Sequence, residues 1–375
     1  MKKKDFLRRL VSAFLAGTMI LNGVTASGEN VNAEIKCLDL DVFVEDAVAT
    51  ALKMNNMENG TYQISDLIPV YDFNTGEVCS YKSLILFNNL ITAELDIWVG
   101  TDNTYYSSFV ETESNIANSY INSSSRICYG QYDDSIWLCV DNDIFYQLDS
   151  KKDVEPPVSI DYILKSVNVS SSILYEPVLN SRAVTDSIIL NVSHVENDSS
   201  PDSIDNNLCW AACIAMKLNY LGLSTNLTAL SLYTYLVNNE MLHEGEIDCV
   251  KDAYEEFGLN VDGGRVVAEN GAIWNSLSEN QPVDICISGT RSDGESESHQ
   301  VLICGMAKAT TGLAYKIDCP NSSNKKIVQI SGDVESLLES NLSSLPYTDT
   351  WSYSNDLTIN FNNVYRTYYT VGSLT

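Results

Sequence analysis

The sequence predicts an α+β chain in two parts: a small sheet-rich α+β unit at residues 34–180, then a domain at 187–375 with a helical half and an antiparallel β half. Three observations predict it. Helical periodicity occupies one stretch of the first part and a block after residue 208 of the second. Short alternating apolar runs separated by turn residues fill the rest of the first part. After Asn280 the second part changes from helical to strand patterning, which places helices and strands in separate halves.

The elements follow in order. Residues 42–54 carry helical spacing, and 67–73, 78–86, 97–100, 105–110, 126–131, 136–140 and 144–148 read as strands. Asn74-Thr75-Gly76 and Asp133-Asp134 supply turns between them. Lys151-Lys152-Asp153, Pro156-Pro157, Ser170-Ser171-Ser172 and Asn180-Ser181-Arg182 mark a boundary at 150–185 that a protease could cut. The second part opens with a strand at 188–192. Helices at 209–221 and 250–257 end at Gly222 and Gly258, and further helices fall at 227–237 and 273–277. Strands at 282–288, 300–306, 314–318, 326–331 and 364–371 complete the domain, with a short helix at 334–342 among them.

Residues 1–33 have the layout of a secretory signal peptide. Lys2, Lys3, Lys4, Arg8 and Arg9 precede a mostly apolar run at 10–24, and small residues follow at Thr25-Ala26-Ser27 and at Ala33. A retained membrane anchor is the alternative. No later stretch reaches about 18 apolar residues, so no stable membrane insertion is expected after cleavage. The chain of 375 residues carries a net charge of −28, which excludes a nucleic-acid partner that would need a basic surface.

All 10 cysteines follow the leader, and export permits disulfides. A two-residue turn at Asp133-Asp134 would set Cys128 opposite Cys139. Cys286 and Cys304 are expected to face each other around the loop at 290–298. Two unpaired buried thiols are the alternative in each case.

One constellation carries chemistry. Asp205, Asn206 and Asn207 stand before the run Leu208-Cys209-Trp210-Ala211-Ala212-Cys213 and are expected to cap the helix. Cys209 then lies in the first turn, where unpaired N–H groups and the positive dipole end favour a thiolate. Cys213, one turn on, reads as a structural thiol. His299 opens the apolar strand Gln300-Val301-Leu302-Ile303-Cys304 and is placed to act as general base. His194 and His243, the other two histidines, read as surface or structural. Asp318 closes the next strand and can orient His299, with Asn321 as the alternative. A zinc site built from Cys209, Cys213 and a histidine is disfavoured, because no second close pair accompanies the CxxxC spacing.

These residues, in this order, resemble the papain-like cysteine peptidases of bacteria: Cys209-Trp210-Ala211-Ala212 on a helix, His299 before a strand ending Cys304-Gly305, then Asp318-Cys319-Pro320-Asn321. The pattern is similar to that of the bacteriocin-processing double-glycine peptidases and of streptopain-like proteases with a propeptide. The resemblance covers about residues 187–324. It implies a papain-like two-part catalytic domain, preceded by a pro-domain at 34–180 that blocks the cleft or assists folding. Relatives of this type carry a Gln about six residues before the nucleophile, a position held here by Ser203. The lead-in Val192-Ser193-His194-Val195-Glu196-Asn197 puts Asn197 in the place of that oxyanion donor. A second departure is Asp-Cys-Pro at 318–320, where the relatives have Asp-Pro.

The implied function is that of a secreted cysteine endopeptidase made as a zymogen. Cys209 is its nucleophile, His299 its base, Asp318 the orienting acid and Asn197 the oxyanion donor. No cofactor or metal is expected, and the partners are a protein or peptide substrate and the chain's own pro-domain. The alternatives are a catalytically impaired binding or adhesion module and a cysteine amidase acting on cell-wall peptides.

Overall fold

The structure is a computed structural model. It describes residues 39–148, 167–168, 184–197, 208–241 and 249–370, apart from 58–59, 101, 113–114, 121–122, 124, 133–134, 264–266, 292–295, 323, 343–344, 346 and 351–357. Residues 1–33, expected to form a leader, most of the expected boundary at 150–185, and His243 lie outside the described residues.

The first helix, α1 (Leu40–Met54), starts at Asp39, whose carboxylate accepts the N–H of Asp41. Strands β1 (Tyr62–Ile64), β2 (Ile68–Asp72), β3 (Val78–Phe87), β4 (Leu90–Val99), β5 (Tyr105–Glu111), β6 (Arg126–Tyr132), β7 (Ser135–Val140) and β8 (Ile144–Gln147) follow. After β9 (Val167–Asn168) and β10 (Val184–Ile189) come α2 (Cys209–Tyr220), α3 (Ala229–Asn238), α4 (Cys249–Glu256), β11 (Val261–Gly263) and α5 (Asn270–Ser278). The chain then forms β12 (Val283–Arg291), β13 (Ser296–Ala309), β14 (Gly312–Asp318), β15 (Lys326–Ser331), α6 (Val334–Glu339), β16 (Tyr347–Thr350) and β17 (Thr358–Thr370). Gly222 and Gly258 stop α2 and α4 with φ of 71° and 80°, as their positions in the sequence predict.

The expected papain-like layout, with a helical half beside a β half and a separate small pro-domain, is corrected here. The described strands join into one 17-stranded β system, and the helices are short elements set around it. From one end the strands run β8-β7-β6-β2-β3-β4-β5-β15-β14-β13-β12-β17, with β10 sharing an edge of β13 with β12. Only β2 and β6 pair in parallel among these neighbours. The sheet of the first part continues into that of the second where β5 pairs with β15, from Lys326↔Val110 to Ile330↔Tyr106. Local patterning locates strands well but is silent on which strand a free edge will meet.

Side chains close the same seam. Phe43, Ala47, Ala51 and Met54 of α1 lie in one buried cluster with Val184, Ala307, Ala314 and Ile327 of the later strands. At its centre the buried Asp46 accepts the N–H of Thr311 at 2.9 Å, its hydroxyl at 2.5 Å and Nε2 of Gln329 at 3.0 Å. Lys316 Nζ donates to the Met54 carbonyl at the end of α1, at 2.7 Å. Gly312 completes the β13–β14 turn. A Cβ there would stand 1.8 Å from the Ile330 oxygen, so only glycine lets β14 lie against β15 at that point.

Cys128 and Cys139 are directly opposite in the β6–β7 hairpin, as the two-residue turn predicts. Both are buried thiols, and the hydrogen bond between them pushes Cys128 up and Cys139 down from the ordinary thiol value. Cys286 and Cys304 are not opposite. The register sets Cys286 against Gln300, and Cys304 falls at the irregularity between Ile303 and Gly305. The strands continue into the span expected to be loop, with β12 running to Arg291 and β13 starting at Ser296, and this sets the register that puts Gln300 opposite Cys286.

Asp46→Ala strands the donors of Thr311 and Gln329 in the core, and the expected loss is about 3 kcal/mol of unfolding free energy in a urea titration. A change below about 0.5 kcal/mol would remove the carboxylate from the seam. Exposure of the folded chain to oxidised glutathione is expected to join Cys128 and Cys139 and to stabilise the protein by about 2–3 kcal/mol. Peptide mapping that finds both thiols still alkylatable contradicts this.

Candidate active site

The helix carrying the proposed nucleophile is apolar on nearly every side. Ala211, Ala212, Cys213, Ile214, Ala215, Met216 and Leu218 of α2 are all buried, the pattern of a helix surrounded by protein. Its N-cap is Leu208 rather than an Asx residue, and no side-chain oxygen caps it. Asp205, Asn206 and Asn207 lie outside the described residues. Cys209 is the first helical residue, in the turn where backbone N–H groups lack helical partners.

His299 is buried on β13, opposite Ile287 of β12. The α2 helix lies against this strand, with the Cys213 thiol donating to the Gln300 carbonyl at 3.4 Å. Cys213, one turn after Cys209, thus packs beside the residue that follows His299. Burial drives the Cys213 thiol well above its ordinary value, reinforced by the negative charge of Asp284, Cys209, Cys319 and Asp318. Cys213 is therefore a neutral structural thiol, as the sequence predicts. Cys209 is 5% exposed against 0% for Cys213 and Cys319.

The remaining predicted residues take different partners. The carboxylate of Asp318 is held by His194 Nδ1 at 2.7 Å and by Lys325 Nζ at 3.0 Å. The Nε2 atom of His299 lies 3.2 Å from Cys319 Sγ, which also accepts the N–H of Asn321 at 3.4 Å. Asp318, expected beside His299, is paired with His194 and Lys325, and it is the sulfur of Cys319 that lies next to the His299 ring. Successive residues leaving a strand point to opposite sides, so Asp318 and Cys319 serve different neighbours. Asn197 donates its backbone N–H to the Pro320 carbonyl at 2.8 Å and its side-chain Nδ2 to Asn321 Oδ1 at 3.0 Å. It braces the turn at 319–321. His194, read from sequence as surface or structural, anchors that turn from the other side through Asp318.

A buried polar network behind His299 escaped the sequence reading. Asp284 of β12 accepts from Tyr254 Oη at 2.6 Å and from Gln300 Nε2 at 3.2 Å, and pairs with Lys217 Nζ at 3.5 Å. All four side chains are buried. Burial raises the Asp284 carboxyl and lowers the Lys217 ammonium from their ordinary values, and each opposes the other's shift. The network ties α2 and α4 to Gln300, the residue after His299, and so fixes the strand. Its signal was visible: Lys217 and Asp284 are lone charges in apolar runs, which a fold tolerates only when they are paired.

No protein-family model matches the chain, and no curated protein matches it. Among the described residues no group of three or more His, Cys, Asp or Glu side chains is arranged to hold a metal ion.

Lys217→Met leaves the Asp284 carboxylate buried without its counter-charge, and a loss of about 3–5 kcal/mol is expected by chemical denaturation. The double variant Lys217→Met/Asp284→Leu is expected to recover most of it. A loss in the double variant equal to the sum of the losses in Lys217→Met and Asp284→Leu alone would show that the pair is not coupled.

Proposed function

We propose that the protein is an exported cysteine-type hydrolase that cleaves peptide bonds, with Cys209 as nucleophile and His299 as base. The observation that supports this reading is the packing of α2 on β13, where Cys213, one turn after Cys209, donates to the carbonyl of Gln300, the residue after His299. His299 accepts the Cys209 thiol proton, and the thiolate sulfur bonds to the peptide carbonyl carbon. Collapse of the tetrahedral intermediate expels the amine, which takes the proton back from His299, and leaves a thioester. Water then gives a proton to His299 and adds to the thioester, the C–S bond breaks, and the proton returns to Cys209. The N–H groups of the first turn of α2 are suited to stabilise the oxyanion. No cofactor enters this sequence.

Export rests on the leader-like residues 1–33, and synthesis as a precursor on the cleavable composition of 150–185. The shared core of α1 with the later strands supports a refinement of the zymogen reading: a cut in that region leaves the two parts joined through β5 and β15. A non-catalytic binding module is the second reading. It is favoured by Asp318 and Asn197, whose polar groups engage His194, Lys325, Pro320 and Asn321.

The test is labelling with a cysteine-directed electrophile together with hydrolysis of a mixed peptide library. Cys209 is expected to label at least about tenfold faster than any other buried thiol, and Cys209→Ala to abolish hydrolysis. Slow, uniform labelling with no peptide cleaved favours the binding module, and cleavage of peptidoglycan fragments alone points to an amidase.

A further inference from the structure

The turn after β14 is held more firmly than a surface turn requires. Asp318 is fixed by His194 and Lys325, and Lys325 Nζ also donates to the Val192 carbonyl at 2.5 Å. Asn197 fastens the Pro320 carbonyl and the Asn321 side chain. These bonds tie the lead-in segment at 192–197 to the turn on both sides of Cys319. The residue left between the fastened positions is a thiol with no exposed surface. Its sulfur points at the imidazole of His299 and accepts a backbone N–H from Asn321.

We propose that Cys319 is the positioning residue of His299, taking the place that the sequence assigned to Asp318. This rests on the reading of Cys209 and His299 as a hydrolytic pair. A thiol is a weak donor, and a sulfur already accepting one N–H is suited to accept a second. Nε2 of His299 therefore carries the proton and donates it to Cys319 Sγ. That tautomer leaves the lone pair on Nδ1, which becomes the atom that takes and returns the catalytic proton. Cys319 cannot be the nucleophile itself, because a fully buried sulfur does not meet a peptide carbonyl. Its rigid setting also holds the ring plane, so the base does not need to reorganise during the reaction.

The test uses the full chain with alkylation of Cys209 by iodoacetamide at neutral pH, followed by peptide mapping, in wild type, Cys319→Ala, Cys319→Ser and His299→Ala. Cys319→Ala is expected to slow alkylation of Cys209 about tenfold or more, and Cys319→Ser, whose oxygen can still accept from Nε2, to restore most of the rate. His299→Ala is expected to slow it at least as much as Cys319→Ala. An unchanged rate in Cys319→Ala with a slowed His299→Ala overturns the positioning role alone. An unchanged rate in His299→Ala overturns the hydrolytic pair and this inference with it. A second readout needs no variant to fold: nitrogen chemical shifts of the His299 ring in wild type are expected to report the Nε2–H form, and the Nδ1–H form overturns the proposal.

Discussion

Five residues of β15, Lys326 to Ile330, pair with Tyr106 to Val110 of β5, and Asp46 of α1 is buried across the same region on Thr311 and Gln329. Neither contact is local: Asp46 and Gln329 are 283 positions apart. Long-range pairing of this kind costs chain entropy before it returns any energy. A buried carboxylate that accepts from the Thr310 and Thr311 N–H groups, the Thr311 hydroxyl and Gln329 Nε2 offsets that cost and also sets register, because a one-residue slip would leave each donor unmatched. The β13–β14 hairpin, with His299 and Cys319 both at its open end, is held at its turn by this carboxylate. The geometry of the site thus depends on a helix far from it in sequence.

Two polar groupings, one fully buried and one partly exposed around the buried Asp318, flank the strand of His299 and divide the work. Behind it, Asp284, Lys217, Tyr254 and Gln300 hold α2 and α4 to β12 and β13. Beside it, Asp318, His194, Lys325 and Asn197 hold the turn that presents Cys319. Apolar packing alone would leave α2 free to slide along the sheet at small cost, since Ala-rich surfaces interlock weakly. Directional bonds to a single carboxylate remove that freedom. A site that needs sub-ångström placement gains more from this than the fold does.

The local record was easy to read. Helix 42–54, the strands at 78–86, 105–110 and 126–131, and the glycine stops of α2 and α4 follow from periodicity and turn chemistry, and they stand within a few residues of their expected bounds. The opposition of Cys128 and Cys139 was legible because a two-residue turn fixes register outright. The pairing of Cys286 with Cys304 was not, because the loop between their strands is longer and carries no such constraint. Asp318 and Cys319 show the limit most sharply. Both stand at the right place in the chain, and a rotation of one residue decides which of them faces the histidine.

The sequence by itself located the main helices and most of the long strands, though not the start of β4 nor β1, β11 and β16, and it set Cys209 at a helix start and His299 on an apolar strand. These are properties of neighbours within a turn or two of chain, where sterics and periodicity act directly. Tertiary structure alone decided that the first part and the second share one β system, that Asp318 serves His194 and Lys325, and that Cys319 meets His299. Each of those depends on which edge meets which and on the direction of a side chain at a strand's end. Such choices are made by the packing of distant segments, and no local pattern encodes them.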